Sequence, residues 1–493
     1  MRLKQGLLRG GSAVAASAVI TALILTGCGV GGAPASSSVA NSSSASSSIP
    51  SSSSSASSAP ASSNSSSSSG SASSKPEKPY EALWVTGSDG IRELTSYKVN
   101  GATPVGDLVL PNEGVYKIGD SCFEGNENIT SVIIPDGVVA IGGSAFSNCK
   151  NLKSVQLPNT LKKIGGSAFR KTSLTSIVIP DSVTELGDCT FYCCGNLESV
   201  KLSKSLKSIG YATFRETNLS SIDIPEGVAE IGNYAFCLVP LTEVKLPNTL
   251  KVIGEGSFGS CKKLKQLNLP QNVEEIGISA FYQCEQLTTL SFPAKMKKIG
   301  ILSFAYTRIQ EVSIPESIVE IGSSAFSGTA LKKLEIFGDP VIGEGAFSGC
   351  YELVDVNLGE KITALPDNMF SSCSQLERIS IPQSVTSLGD KAFRYNSKLS
   401  NIILPDKLKV IGYGTFQYCY KLNSIYIPTS VKSIDMDAFE HSGVKHIYYS
   451  GNEAAWNSIQ INSSGNENLL ETKESGNIHY NSTPTSMSLL SLF

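Results

Sequence analysis

Hydrophobic positions recur along most of the chain with one long period. A phenylalanine stands at Phe123, Phe146, Phe169, Phe191, Phe214, Phe236, Phe258, Phe281, Phe304, Phe326, Phe347, Phe370, Phe393, Phe416 and Phe439, a spacing of 21 to 23 residues throughout. Five residues before each is Ile or Leu, usually followed by Gly, as in Ile141-Gly142, Ile209-Gly210 and Ile411-Gly412. Six residues after most of them an aliphatic opens Leu-x-x-Ile-x-Ile/Leu-Pro; Leu152, Val155, Leu157 and Pro158 form one copy, and Leu422, Ile425, Ile427 and Pro428 another. A unit of this length cannot bury its apolar face alone, so the repetition predicts a solenoid in which stacked coils share one core.

The spacing within a unit predicts its local structure. In Ser154-Val155-Gln156-Leu157 apolar and polar residues alternate, which places Val155 and Leu157 inward and Ser154 and Gln156 toward water, as a half-buried strand requires. Proline ends that strand because it cannot donate to a ladder. Leu161 and Ile164 re-enter the core, Gly165 permits a turn, and Phe169 fills the space between coils. The fold class expected is a leucine-rich-repeat solenoid of fifteen coils with a parallel sheet on one face and a cap at each end. Fifteen strands at the usual separation give a sheet roughly 70 Å long.

The unit Leu-x-x-Ile-x-Ile-Pro-x-x-Leu-x-x-Ile-Gly-x-x-Ala-Phe-x-x-Cys resembles the BspA-like class of bacterial leucine-rich repeats over about residues 105 to 481. Intact copies run from Leu264 to Cys284 and from Leu376 to Asn396, the second with Asn in the cysteine column. Tyr448-Tyr449-Ser450-Gly451-Asn452, with Trp456, Ile459 and Ile478-His479-Tyr480-Asn481, resembles that class's closing segment. The resemblance implies an exported surface protein, several members of the class being adhesins for matrix proteins or other cells, and implies no catalytic activity. Ser203, Phe337 and Gly359 replace the strand-ending proline, and Pro366 and Asp435 the turn glycine, so local bends are expected there.

Composition differs sharply between this region and what precedes it. Charged residues are only 17% of the chain, and the deficit has a location: residues 36 to 74 hold 26 serines in 39 positions. Arg2, Lys4 and Arg9 precede an apolar and small-residue run from Ala13 to Leu25, too short to span a bilayer, which reads as a secretion signal. It ends in Leu25-Thr26-Gly27-Cys28, which resembles the lipobox of bacterial lipoproteins and implies lipidation of Cys28 after cleavage. Loss of residues 1–27 takes the formal charge from −3 to −6. Residues 28–74 read as a disordered stalk, since serine, alanine and glycine bury too little apolar surface to offset ordering entropy. As a flexible chain, such a stalk would span roughly 35 to 40 Å on average. The expected organisation is then an entry cap over 75–112 with Trp84 and Tyr97 as covering aromatics, the solenoid over 113–443, a closing cap over 444–481, and a tail over 482–493.

Charge and side-chain inventory narrow the chemistry. Forty Lys plus Arg against 43 Asp plus Glu leave no electrostatic footprint for nucleic acid, and membrane contact is expected only through the lipid. Three histidines, His441, His446 and His479, allow few acid/base or metal arrangements. Gly254-Glu255-Gly256-Ser257-Phe258-Gly259 matches a dinucleotide fingerprint in letters only, because it is the repeat's turn and not a strand-to-helix junction. His441 and His446, near Asp437 and Glu440, lack a converging third imidazole or thiolate, and no G-x-S-x-G elbow occurs. No enzyme activity, cofactor, metal or small-molecule substrate is expected. Seven cysteines, Cys149, Cys194, Cys261, Cys284, Cys350, Cys373 and Cys419, lie three residues after the repeat phenylalanine and read as buried free thiols, although Cys261/Cys284 and Cys350/Cys373 fall within disulfide range. Cys122, Cys189, Cys193 and Cys237 lie off that column.

Binding must then come from exposed faces. Outward strand positions begin with serines at 131, 154, 176, 199 and 221 and turn to mixed charges from Glu243 to Arg378. Two residues further along the strand, Ile403, Tyr426 and Tyr448 fall in three consecutive coils, a candidate partner-binding strip of exposed apolar and phenolic groups. The same residues are compatible with cross-strand packing that seals the C-terminal end. The function expected is a lipid-anchored surface protein at the outer face of the cell membrane that binds a host or neighbouring-cell protein or polysaccharide; the alternative is a structural envelope spacer with no specific soluble ligand.

Overall fold

The structure of the chain, a computed structural model, describes residues 80–485. The expected signal peptide, Cys28, the stalk, residues 75–79 of the entry segment and residues 486–493 of the tail lie outside the described residues. The rest is a parallel-strand solenoid of about sixteen turns, the last of which, Gln460–Ile461, carries no phenylalanine.

Each coil contributes three walls rather than a single sheet. The first ladder holds the expected strands, such as Ser154–Gln156 beside Ile129–Ile133, and Glu311–Ile314 beside Lys333–Ile336. A second ladder of two-residue strands, among them Lys163–Ile164, Glu275–Ile276 and Lys298–Ile299, runs through the Ile-Gly positions. The third wall is the turn around each phenylalanine. There the residue two before the ring, the phenylalanine itself and the residue two after it donate N–H groups to the following coil, as in Ser144→Gly166, Phe146→Ala168 and Asn148→Arg170, all 2.8 Å.

The turn wall explains a constraint that the residue types conceal. Both positions two residues from the phenylalanine are left-handed in coil after coil: Ser144 and Asn148 (φ 54° and 59°), Cys189 and Cys193 (56° and 58°), Lys391 and Tyr395 (57° and 61°). Each occupies the third position of a turn closed by a backbone hydrogen bond, Ala145→Gly142 and Cys149→Phe146 in one coil, which is the position of a type II turn where φ must be positive. The off-column cysteines thereby gain a place: Cys189 and Cys193 hold these two positions, and Cys122 the alanine position before the ring.

The glycine of the Ile-Gly pair serves a different purpose from the turn expected of it. Its φ is not left-handed; the coil below approaches so closely that a Cβ on Gly187, Gly300 or Gly389 would stand 2.4, 2.4 or 2.2 Å from backbone of the preceding turn. Its N–H closes the rung, as in Gly300→Ile276 at 2.8 Å.

The phenylalanines form one continuous column in the core. Neighbouring rings from Phe123 to Phe439 are stacked with centroids between 5.0 Å and 6.0 Å apart, and all but Phe123, itself 3% exposed, are fully buried. Three residues on, each column cysteine donates its thiol to the carbonyl of the preceding coil's phenylalanine, at 3.1 Å for Cys149→Phe123, 3.1 Å for Cys261→Phe236 and 3.1 Å for Cys419→Phe393. Asn396 in the same column reaches the Phe370 and Phe393 carbonyls at 2.8 and 2.7 Å. The cysteines and Asn396 of this column thus tie each coil to the one before it, Thr172, Thr217, Thr307 and Thr329 donate within their own coil, and Val239 fills the place without a donor; all eleven cysteines of the described residues are free.

At the entry, strands β1 (Tyr80–Thr86) and β2 (Arg92–Val99) pair antiparallel, and β2 continues onto Tyr116–Ile118 in parallel. Trp84 stands edge-on to Tyr116 at 5.1 Å, and Tyr97 lies 6.2 Å from Phe123. At the other end, a short helix Glu453–Trp456 buries Trp456 against Tyr449 at 5.2 Å. Side-chain amides there take the part of a missing coil: Asn466 accepts from Phe439 N at 2.9 Å and Asn468 donates to Phe439 O at 3.0 Å.

Of the five departures from the repeat, two keep their rungs: Phe337 N donates to Ile314 O at 3.0 Å, and Asp435 N to Ile411 O at 2.9 Å. Ser203 donates its hydroxyl to Val183 O at 2.6 Å, but its strand Ser199–Lys201 pairs only with Ser176–Val178 of the preceding coil. Pro366 behaves otherwise. It has no N–H for Ile342 O, and the second ladder stops between Val341–Ile342 and Ala364–Leu365. Next to it, Gly359 is left-handed (φ 62°), Arg378–Ile381 joins no strand of the first ladder, and the phenylalanine column is at its widest, 6.0 Å and 18° for Phe347–Phe370 and 5.9 Å and 19° for Phe370–Phe393. A groove of about 550 Å³ opens there on the first-ladder face, between Asp355, Arg378 and Asn401. The second ladder is also interrupted between Leu186 and Ser208, yet there the rings stay at 5.4 Å and 10°.

Candidate binding surface on the turn face

The strip anticipated from Ile403, Tyr426 and Tyr448 is placed side by side as expected, since the three are consecutive in register. Its exposure is not as expected: Tyr426 is 4% and Tyr448 5% exposed, with Ile403 partly buried against them. The cause is the closing strand Ile478–His479, which adds a rung beyond Tyr448 and lays the His479 ring on it at 4.7 Å. Ser450 also hydrogen-bonds the Tyr426 hydroxyl, whose pKa burial raises. The three side chains therefore pack on one another with almost no ring surface exposed. Cys28, the expected lipidation site, lies outside the described residues. The serines at 154, 176, 199 and 221 are exposed as expected.

Apart from Phe337 at a strand end, the exposed aromatic residues Tyr211, Tyr306, Tyr351, Tyr395 and Tyr420 lie on the turn wall. Ten of the 17 tyrosines fall between three residues before and four after a repeat phenylalanine. Toward the N-terminal side, the Arg215 guanidinium sits 5.8 Å from the Tyr192 ring and 5.7 Å from Tyr234, Arg170 approaches Tyr192 at 5.5 Å, and Tyr211 meets Tyr234 edge-on at 5.9 Å. Tyr234 donates to the Glu255 carboxylate, and burial with that neighbour raises its pKa. In the middle, buried Tyr282, Leu302, Cys237 and Ala305 form a small apolar cluster outside the main core, with Tyr306 edge-on to Tyr282 at 5.7 Å.

The C-terminal third carries the densest group. Tyr395 and Tyr418 are stacked at 4.6 Å and 4°, and Tyr418 and His441 at 5.1 Å and 22°. Arg394 lies 4.6 Å from the Tyr395 ring and 5.6 Å from Tyr418, and Lys391 4.7 Å from Tyr413. Tyr351 and Tyr420 are 61% and 60% exposed. Cation–ring contacts at such exposed sites are worth about 0.5–1 kcal/mol each.

Reading strand columns missed these residues because they occupy several different turn positions. The usable signal was their common window around the phenylalanine. Among the described residues no three His, Cys, Asp or Glu side chains converge as a metal site, and no helix is long and apolar enough to cross a membrane.

Comparison with known proteins agrees with this architecture. The BspA type leucine rich repeat region matches residues 116–240, 229–340 and 340–445. A leucine-rich repeat protein from Bacteroides ovatus is 30% identical, with 75% of this chain and 93% of that one covered and a TM-score of 0.62. A leucine rich cell surface protein from Faecalibacterium prausnitzii is 25% identical over 79% of this chain and 99% of its own, with a TM-score of 0.34. The pneumococcal vaccine antigen PcpA is 18% identical over 82% and 95%, with a TM-score of 0.42. No curated protein matches. The repeat signature spans more than half of the 493 residues, and the fold it dictates is the one found, so the chain belongs to the BspA-type leucine-rich repeat family.

Proposed function

We propose that this protein is an exported surface binder, held to the membrane by a lipid on Cys28 and carried outward on its serine-rich segment, whose solenoid engages a protein or polysaccharide on another surface without catalysing a reaction. One observation carries this reading. The core column hardly varies from coil to coil, whereas the turn wall above it varies freely and collects tyrosine and arginine, the residues that anchor interfaces at low entropic cost. A passive spacer has no use for that concentration.

Two measurements test it. A Cys28→Ser form, soluble and lacking the lipid, is screened for saturable binding to matrix proteins, polysaccharides and intact cells. Binding is expected, and absence of any saturable signal would favour the spacer. Incorporation of a labelled fatty acid into the full chain, abolished by Cys28→Ser, is expected for the anchor; equal labelling of both forms would exclude it.

A further inference from the structure

We propose that the C-terminal third of the turn wall, built from Arg394, Tyr395, Gln417, Tyr418, Tyr420 and His441, is a platform for an extended neutral polysaccharide lying along the solenoid axis; this rests on the reading of the solenoid as a binder.

The backbone supplies the first argument. Tyr395, Tyr418 and His441 have φ of 61°, 59° and 53°, and they occupy a left-handed position that other coils fill with residues as varied as Gly125, Lys171, Glu216, Leu238 and Gln283. The position does not require a ring for folding, and only here do three consecutive coils each place one in it.

The second argument is geometric. The rings stack on one another, at 4.6 and 5.1 Å, into a ridge that runs across three coils, so their faces are closed to an inserted side chain. A protein hot spot needs a pocket that takes an anchor, and a closed ridge has none. A sugar chain instead lies flat on open ring surface, which Tyr420, 60% exposed and tilted against Tyr418, supplies beside the ridge, bordered by planar hydrogen-bonding side chains. Those border groups are present. Arg394 lies across the Tyr395 ring, and Gln417, 4% exposed, donates to the Glu440 carboxylate beneath the ridge.

The third argument concerns satisfaction. Arg394 Nε and Gln417 Oε1 are buried and have no hydrogen-bond partner. One is a donor and the other an acceptor, the two roles a sugar hydroxyl can take. Charge then selects the polymer class: Lys391 and Arg394 are balanced by Asp390 and Glu440, so the strip has no net field to hold a polyanion.

The test uses the full-length mature chain with Cys28→Ser, in native gels cast with hydroxyethyl cellulose, laminarin, xylan or mannan, and in parallel binding to intact cells. Retardation by at least one polymer is expected. It should weaken at least tenfold in a Tyr418→Ala/Tyr420→Ala double variant and survive in Tyr306→Ala. If the double variant misfolds by circular dichroism, Tyr420→Ala alone, at an exposed rim position, is read instead. No retardation by any polymer, or retardation indifferent to these tyrosines, overturns the platform. Cell binding that persists without retardation leaves the binder reading standing and removes this site. Cell binding lost in the tyrosine variant without retardation by any polymer assigns the ridge to a protein and overturns the polysaccharide.

Discussion

Replacing Gly300 with alanine adds one methyl group at the tightest place in the coil. The new Cβ would lie 2.4 Å from Gly277 C, 2.5 Å from Gly277 O and 2.6 Å from Ile278 N, all backbone atoms of the preceding turn. Non-bonded carbons rest at about 3.5–4.0 Å, so the two coils must part by about 1 Å. Overpacking of this kind costs about 1–3 kcal/mol. Parting the coils also stretches the Gly300 N→Ile276 O rung, now 2.8 Å, a bond worth about 1 kcal/mol. The expected loss is about 2–4 kcal/mol.

In a solenoid that loss falls on one junction, because each coil touches only its neighbours. Urea unfolding is expected to show a lowered midpoint or a separate early transition, and hydrogen exchange to show faster amides on the coils around Gly277 and Gly300 only. Gly195→Ala is the control: its Cβ meets nothing within 4 Å and its φ is not left-handed, so the change is neutral or stabilises by up to about 1 kcal/mol. If Gly300→Ala unfolds within error of the parent, or if Gly195→Ala is equally damaging, close approach is not what selects glycine in this column.

Pro366→Gly restores an N–H opposite Ile342 O and is expected to slow hydrogen exchange at the neighbouring amides of Leu365 and Met369; unchanged exchange would mean that the interruption has another cause. Burial and the adjacent His446 hold the His479 pKa below its ordinary value, so the unfolded chain binds the proton more readily and stability falls as pH drops below about 6.5. The difference in stability between the parent and His479→Phe, which keeps a ring on Tyr448, is expected to shrink or reverse between pH 7.5 and 5; a difference constant with pH refutes it. Burial pushes the Cys149 and Cys419 thiols up to about 12, so these column cysteines are expected to resist a thiol reagent at pH 8 in the folded protein. In the denatured, unreduced Cys28→Ser form all eleven thiols are expected to react, and a count of nine or fewer would establish a disulfide.

What the sequence disclosed was what packing dictates directly. Phe123 through Phe439 must all be phenylalanine-like because each ring touches the next, and the alternation around Val155 follows from one buried side. The second ladder escaped because Lys163–Ile164 and its equivalents are two residues long, too short for a period to register. The left-handed columns escaped because Ser144, Lys171 or Cys193 carry no mark of the conformation that the turn wall's cross-coil bonds impose on them. Tyr426 and Tyr448 were misjudged because their strand position faces outward, and only the return of His479 over Tyr448 decides that outward is not exposed. Pro366 and Asp435 look equivalent as replacements for glycine, but Asp435 keeps an N–H and Pro366 does not.

The same physics says where such a solenoid can carry specificity. A change in the phenylalanine or glycine column disturbs two junctions at once, and the cysteine column is enclosed and takes only small side chains such as Cys, Thr or Val239. The turn position two residues after the phenylalanine asks only for a residue that tolerates positive φ, and its side chain points away from the core. Placing Tyr395, Tyr418 and His441 there costs about 1–2 kcal/mol each in backbone strain. Their two ring contacts return about 0.5–1.5 kcal/mol apiece, and the Arg394 contacts with Tyr395 and Tyr418 about 0.5–1 kcal/mol each. Glycine at all three positions would remove the strain, as Gly328 and Gly349 do in earlier coils. Strain and contacts therefore nearly offset each other, and Lys171, Glu216, Leu238 and Gln283 accept the same φ in other coils, so this is the column where side chains vary without touching the core and where a binding surface can be built.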